Sequence, residues 1–140
     1  MPFLLDTCTI SEPTTAMPSN DVIRWFAAQD ERNLFLSVIT TGELERGIYG
    51  LPKSKKRTDL ESWFFNDVIP QFQTRMFGIG RRTMTIWAKT SIDLKQKGIV
   101  RPIIDSLLEA TALEHDLILV TRNVKNFQGS SVTILNPWEA

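Results

Sequence analysis

Leu117-Ile118-Leu119-Val120, four consecutive apolar residues closed off by Asp116 and Thr121, constrain the fold more than any other stretch of the chain. A strand with one wet face alternates apolar with polar residues, so an unbroken run suits the middle of a parallel sheet covered on both sides. Phe3-Leu4-Leu5 has the same character and stops at Asp6. Residues 34–39, 76–79 and 132–135 supply further strand candidates.

Helical patterns fill the intervals. Ser19-Asn20-Asp21 offers a cap for an amphipathic helix through Val22, Ile23, Trp25 and Phe26. A second helix is expected from Thr40 through Leu44 and Ile48 to about Gly50. A longer one passes through Leu60, Trp63, Phe64, Val68 and Ile69, and Pro70 is expected to kink or end it. Residues 83–97 read as a helix closed by Gly98, and residues 102–115 as one with Pro102 at its first position. Strands separated by helices predict right-handed crossovers and an α/β fold, a three-layer α/β/α sandwich around a central, mainly parallel sheet.

With 140 residues and 42% hydrophobic content, the chain can bury one core, so a single domain over residues 1–140 is expected. Sixteen basic side chains balance sixteen acidic ones, so any attraction to nucleic acid must come from local patches. Cys8 is the only cysteine and cannot form an internal disulfide. The start Met-Pro-Phe-Leu-Leu-Asp lacks a signal-peptide pattern and no apolar run reaches the length of a membrane span. A cytoplasmic protein without a membrane anchor is the expectation.

Asp6, Glu43, Asp105 and Asn123 all fall after a strand-like run and at the start of a helix-like one. Each has a bland use. Thr40-Thr41-Gly42-Glu43 fits a capping box, Asp105 complements a helix dipole, and Asp6 and Asn123 could cap short turns. Taken together they predict more, because the carboxyl edge of an open parallel sheet is where ligands bind. Carboxylates gathered there repel unless a cation or shared protons relieve them. Hard oxygen ligands suit Mg2+ or Mn2+, whereas one His, His115, and one Cys leave too few ligands for a typical zinc site. A metal-dependent enzyme acting on phosphodiesters follows.

The segments Leu4-Leu5-Asp6-Thr7, Ser37-Val38-Ile39-Thr40-Thr41-Gly42-Glu43-Leu44, Asp105-Ser106-Leu107-Leu108-Glu109-Ala110-Thr111-Ala112 and Thr121-Arg122-Asn123, with the Asn136-Pro137-Trp138 tail, resemble PIN-domain nucleases. The likeness is to VapC-type and FitB-like toxins of bacterial toxin-antitoxin pairs. That resemblance implies an endoribonuclease that uses Mg2+ or Mn2+, forms a homodimer and is silenced by a cognate antitoxin. It also implies that Asp6, Glu43 and Asp105 are the central acids holding the metal, with Asn123 where many relatives carry a fourth acid. Arg46, Arg122 and Lys125 are candidates to hold the RNA backbone, and the basic stretch 53–57 could attract RNA or be a solvated loop. Glu109, one turn beyond Asp105, could extend the acidic pocket or receive an antitoxin arginine.

A haloacid-dehalogenase-like phosphatase needs a second Asp where Cys8 stands, and a cysteine phosphatase needs an Arg after Cys8 where Pro13 and Thr14 lie. Both fall away. The stronger alternative is a catalytically silent α/β binding module whose acidic pocket receives a basic partner.

Overall fold

The computed structural model of the chain describes residues 2–139. Its strands are β1 (Phe3–Leu5), β2 (Leu34–Ser37), β3 (Met76–Phe77), β4 (Ile118–Val120) and β5 (Ile134–Leu135). They pair in the order β3-β2-β1-β4-β5, and every pairing is parallel. Helices α1 (Thr7–Ser11), α2 (Asn20–Ala28), α3 (Val38–Tyr49), α4 (Lys55–Trp63), α5 (Ile69–Phe72), α6 (Arg81–Gln96) and α7 (Ile103–Glu114) fill the connections.

The central strands are buried on both faces, as their unbroken apolar runs predict. Adjacent residues Leu4 and Leu5 are both fully buried, and because successive side chains point to opposite faces they serve two cores. Leu5 joins Leu36 and Val120 with Trp25, Leu44, Phe64 and Phe72. Leu4 joins Leu119 with Leu108, Ala112, Phe127 and Val132. Trp87 is half-buried against α7, its indole donating to Ser106 Oγ at 2.9 Å. Three layers result, as expected. Among the described residues, no helix is long and apolar enough to cross a membrane.

Several boundaries differ from the sequence expectation. Strand β2 stops at Ser37, whose side chain accepts from the Ile39 amide and caps a helix beginning at Val38, ahead of the expected Thr40. Val38 and Ile39 suit a strand by type, but the cap starts the helix first. The capping box expected at Thr40–Glu43 is therefore not formed. Around Pro70 the chain remains helical to Phe72, because a π-helical turn, Phe64–Val68, widens the helix just before it. That wider turn accommodates a residue that lacks an amide hydrogen and crowds the preceding turn. Strands β3, β4 and β5 are shorter than their apolar runs. Gly98 closes α6 with φ +76°, a conformation that favours glycine.

This topology decides what can meet. The order reverses between β1 and β4: β2 and β3 lie on one side of β1, β4 and β5 on the other. Loops leaving the carboxyl ends of β1 and β4 diverge there and leave a crevice. Helix α7 runs back into β4 through a tight turn at Asp116, so its first turn lies at the same sheet edge.

Candidate active site

Asp6 follows β1 directly and is buried, with 7% of its surface exposed. Its Oδ1 accepts from the Thr9 amide at 2.8 Å and caps α1, while its own amide donates to the Val120 carbonyl at 3.1 Å. The Thr9 hydroxyl donates to the same carbonyl at 3.1 Å. Thr40, at the start of α3, donates to the Leu5 carbonyl at 3.4 Å. Buried threonines thus tie the ends of β1 and β4 and the start of α3 into one rim. Sequence reading missed Thr9 and took Thr40 only for a helix cap; the signal for both is a hydroxyl placed just past a strand end.

Glu43 projects from α3 into solvent, and its Oε1 accepts from the Thr7 hydroxyl at 2.7 Å. Asp105 lies half-buried in the first turn of α7, which packs against α3. Burial pushes the Asp105 carboxyl up, and the nearby charges of Glu43 and Asp6 push it further; Arg101 opposes them. Burial likewise raises the Cys8 thiol, with Asp6 and Glu43 adding to the effect and Arg122 pulling it down. Asp6, Glu43 and Asp105 therefore share one electrostatic neighbourhood. Among the described residues, however, no three His, Cys, Asp or Glu side chains converge into a ready-made ion cage.

The raised Asp105 carboxyl carries a stability consequence. The folded protein holds this proton more tightly than the unfolded chain, so stability is lost as pH rises from the ordinary aspartate range through the raised folded value. Above that value the penalty is fully present. In melts recorded with a chelator, Asp105→Asn is expected to be more stable than the wild type at neutral pH and to lose this part of the pH slope. Equal slopes in the two proteins would contradict the electrostatic reading.

Asn123 begins the 3₁₀ turn Val124–Phe127, but its side chain makes no capping bond. Its backbone N–H donates to the Thr121 hydroxyl at 3.0 Å. Arg122 and Lys125 beside it are exposed, and the Arg122 guanidinium lies 5.4 Å from the centre of the Trp138 ring. Arg46 shares an open pocket with Glu43, Gly47, Gly50 and Leu51, and makes no ion pair among the described residues. Within the basic stretch, Lys55 pairs with Asp59 at 2.7 Å and Arg57 with Glu61 at 2.8 Å, so two of its charges already serve α4.

Glu109 requires a correction. It shares α7 with Asp105, yet it is fully buried and bound by the chain's own Arg101, with Nε 2.9 and 3.1 Å from its two oxygens. It neither extends the acidic pocket nor offers itself to a partner's arginine. A buried carboxylate requires such a partner, and the turn before α7 supplies it.

The PIN domain family model matches the chain over residues 3–128. The chain belongs to the PIN-domain family. Two curated proteins are similar to this PIN domain over almost their whole length. The VapC ribonuclease Y4jK of Sinorhizobium fredii is 32% identical over 136 residues, covering 97% of each chain. Toxin FitB of Neisseria gonorrhoeae is 31% identical over 135 residues, covering 96% of this chain and 97% of FitB. The crystal structure of FitAcB from Neisseria gonorrhoeae superposes with a TM-score of 0.94 at 30% identity, covering 99% of both chains. The structure of FitAB bound to an IR36 DNA fragment superposes at 0.93 with 29% identity, covering 97% of this chain and 95% of the other.

Proposed function

We propose that this PIN domain is a metal-dependent endoribonuclease, the toxin of a toxin-antitoxin pair, working in the cytoplasm as a homodimer and silenced by a cognate antitoxin. The observation that carries the reading is the acidic rim of Asp6, Glu43 and Asp105 at the crevice between β1 and β4, in a chain whose full-length relatives include a ribonuclease and a toxin. The antitoxin follows from the likeness to FitB and to the FitAB assembly.

The donor set fits a hard divalent cation. Its ligands are carboxylate oxygens; burial first raises the Asp105 carboxyl, and the neighbouring charges of Glu43 and Asp6, which a cation would offset, raise it further. Asp6 and Asp105 would hold Mg2+ or Mn2+ directly and Glu43 through a water; the bound ion would acidify water and neutralise charge developing on the phosphoryl oxygens.

The chain's own groups do the remaining work. The Thr9 amide holds Oδ1 of Asp6 and so restrains its carboxylate, whose second oxygen would serve the cation. Glu43, exposed and steadied by Thr7, takes the proton of the attacking water. The Asn123 amide orients that water. Arg46, Arg122 and Lys125 hold the RNA backbone, and the Trp138 ring limits where Arg122 can swing.

Titrating Mn2+ into chelator-treated protein tests this reading by two readouts. The melting temperature is expected to rise with Mn2+, because an ion bound only by the folded state stabilises it by mass action. Cleavage of a labelled RNA is expected to appear over the same concentrations. Cleavage at full rate in excess chelator would refute metal dependence, while binding without cleavage would favour a silent module that receives a basic partner.

A further inference from the structure

Arg101 and Glu109 form an ion pair nearly excluded from solvent, with side-chain exposures of 4% and 1%. Only one guanidinium nitrogen serves the carboxylate. The other two turn away, one donating to the Asn126 carbonyl at 2.8 Å and one to the Gln128 carbonyl at 2.6 Å. The Ser130 hydroxyl donates to Glu109 Oε2 at 2.7 Å, and the Phe127 ring centre lies 5.9 Å from the guanidinium carbon. Every partner beyond the pair itself lies in residues 126–130.

Stability alone does not account for such a pair, since apolar side chains of similar volume usually serve a core at least as well. A guanidinium can do what they cannot: its rigid fork holds several acceptors in fixed directions at once. At its start the segment lacks a side-chain cap from Asn123, and at its far end Lys97 Nζ donates to the Gly129 carbonyl at 2.7 Å, so Arg101 is what holds its middle, at residues 126 and 128. Glu109 stands one helical turn from Asp105 on α7, and the clamped carbonyls follow directly on Arg122, Asn123 and Lys125.

We infer that Arg101 and Glu109 are positioning residues, a clamp that sets the segment carrying Arg122, Asn123 and Lys125 in register with the α7 turn carrying Asp105. The use of that register in RNA binding rests on the nuclease reading. The clamp itself does not.

The deciding protein carries Arg101→Met together with Glu109→Leu, which removes both charges while keeping apolar bulk, so the core remains filled. Its melting temperature is expected to stay near that of the wild type. Hydrogen exchange at the amides of residues 124–130 is expected to quicken by about tenfold or more, because local opening no longer breaks the clamp. KM for an RNA oligonucleotide should rise about tenfold with Mn2+ affinity little changed, since the lost charges of Arg101 and Glu109 act on Asp105 in opposite directions and the displaced groups are those that bind RNA. Wild-type exchange rates in that segment would overturn the clamp, and a wild-type KM would overturn its role in binding RNA. Should the wild type fail to cut RNA, the nuclease reading fails, and exchange alone decides the clamp. If the double variant does not fold, Arg101→Lys serves: it keeps the charge but cannot reach the carboxylate and both carbonyls, so the same exchange signature is expected. Its absence would refute the inference.

Discussion

Asn in place of Asp6 is expected to lower RNA cleavage by on the order of a thousandfold while leaving the fold intact. The two halves of that result have separate causes. Structurally, Asn ranks with Asp as a helix cap, so its side-chain oxygen can still accept from the Thr9 amide, and the main-chain bond to Val120 is untouched. Chemically, the substitution removes the most buried charge of the acidic rim, at the strand end nearest the crevice. Losing that charge also relieves Asp105, so the metal-free variant should melt no lower than the wild type and should respond less to added Mn2+. Single-turnover cleavage beside thermal melts in chelator checks both halves. Cleavage within tenfold of wild type would remove Asp6 from the catalytic assignment.

Glu109→Ala should cause the largest loss of stability among these substitutions, about 3–5 kcal/mol, because it leaves the Arg101 guanidinium buried without its counter-charge. Arg101 would keep its bonds to the Asn126 and Gln128 carbonyls, but neither carries a full negative charge. Removal of both members by apolar replacement should be far milder, so the two designs together separate the cost of an orphaned charge from the role of the clamp. Urea denaturation gives the comparison. A loss below about 1 kcal/mol for Glu109→Ala would mean that water or local relaxation relieves Arg101, contrary to its burial.

How much of this was legible beforehand varies residue by residue, and the variation has physical reasons. Unbroken apolar runs at β1 and β4 carried their burial and their parallel pairing, because residues buried on both faces have no alternative to apolar side chains. The position of Asp6 was legible for the same reason: a carboxylate cannot continue a buried strand. The end of β2 was not. Val38 and Ile39 are acceptable in either element, and the choice fell to Ser37, whose hydroxyl satisfies a free amide at the start of α3. Pro70 marked a disturbance correctly, but whether the helix stops or widens depends on the packing that buries Phe64, Val68 and Phe72 together.

Glu109 shows the limit most clearly. Helical spacing placed it on α7 one turn from Asp105, and spacing along a helix says which residues are neighbours on that helix only. Its partner Arg101 reaches it from the turn before α7, across Pro102, while also holding residues 126 and 128 from beyond β4. No local pattern encodes a contact that draws in a segment from beyond β4 as well.

The amino-acid order by itself determined the alternation of strands and helices, the covered parallel sheet, the apolar side chains of the core, and the family to which the chain belongs. These depend on periodicity, turn chemistry and side-chain polarity, which act over a few residues. The gathering of Asp6, Glu43 and Asp105 at one sheet edge was expected from their places after strands; tertiary structure alone decided how each is buried and bonded there, and that Glu109 is neutralised inside the protein. Charge interactions and hydrogen bonds act over a few ångströms of space, and only the folded chain brings distant residues within that range.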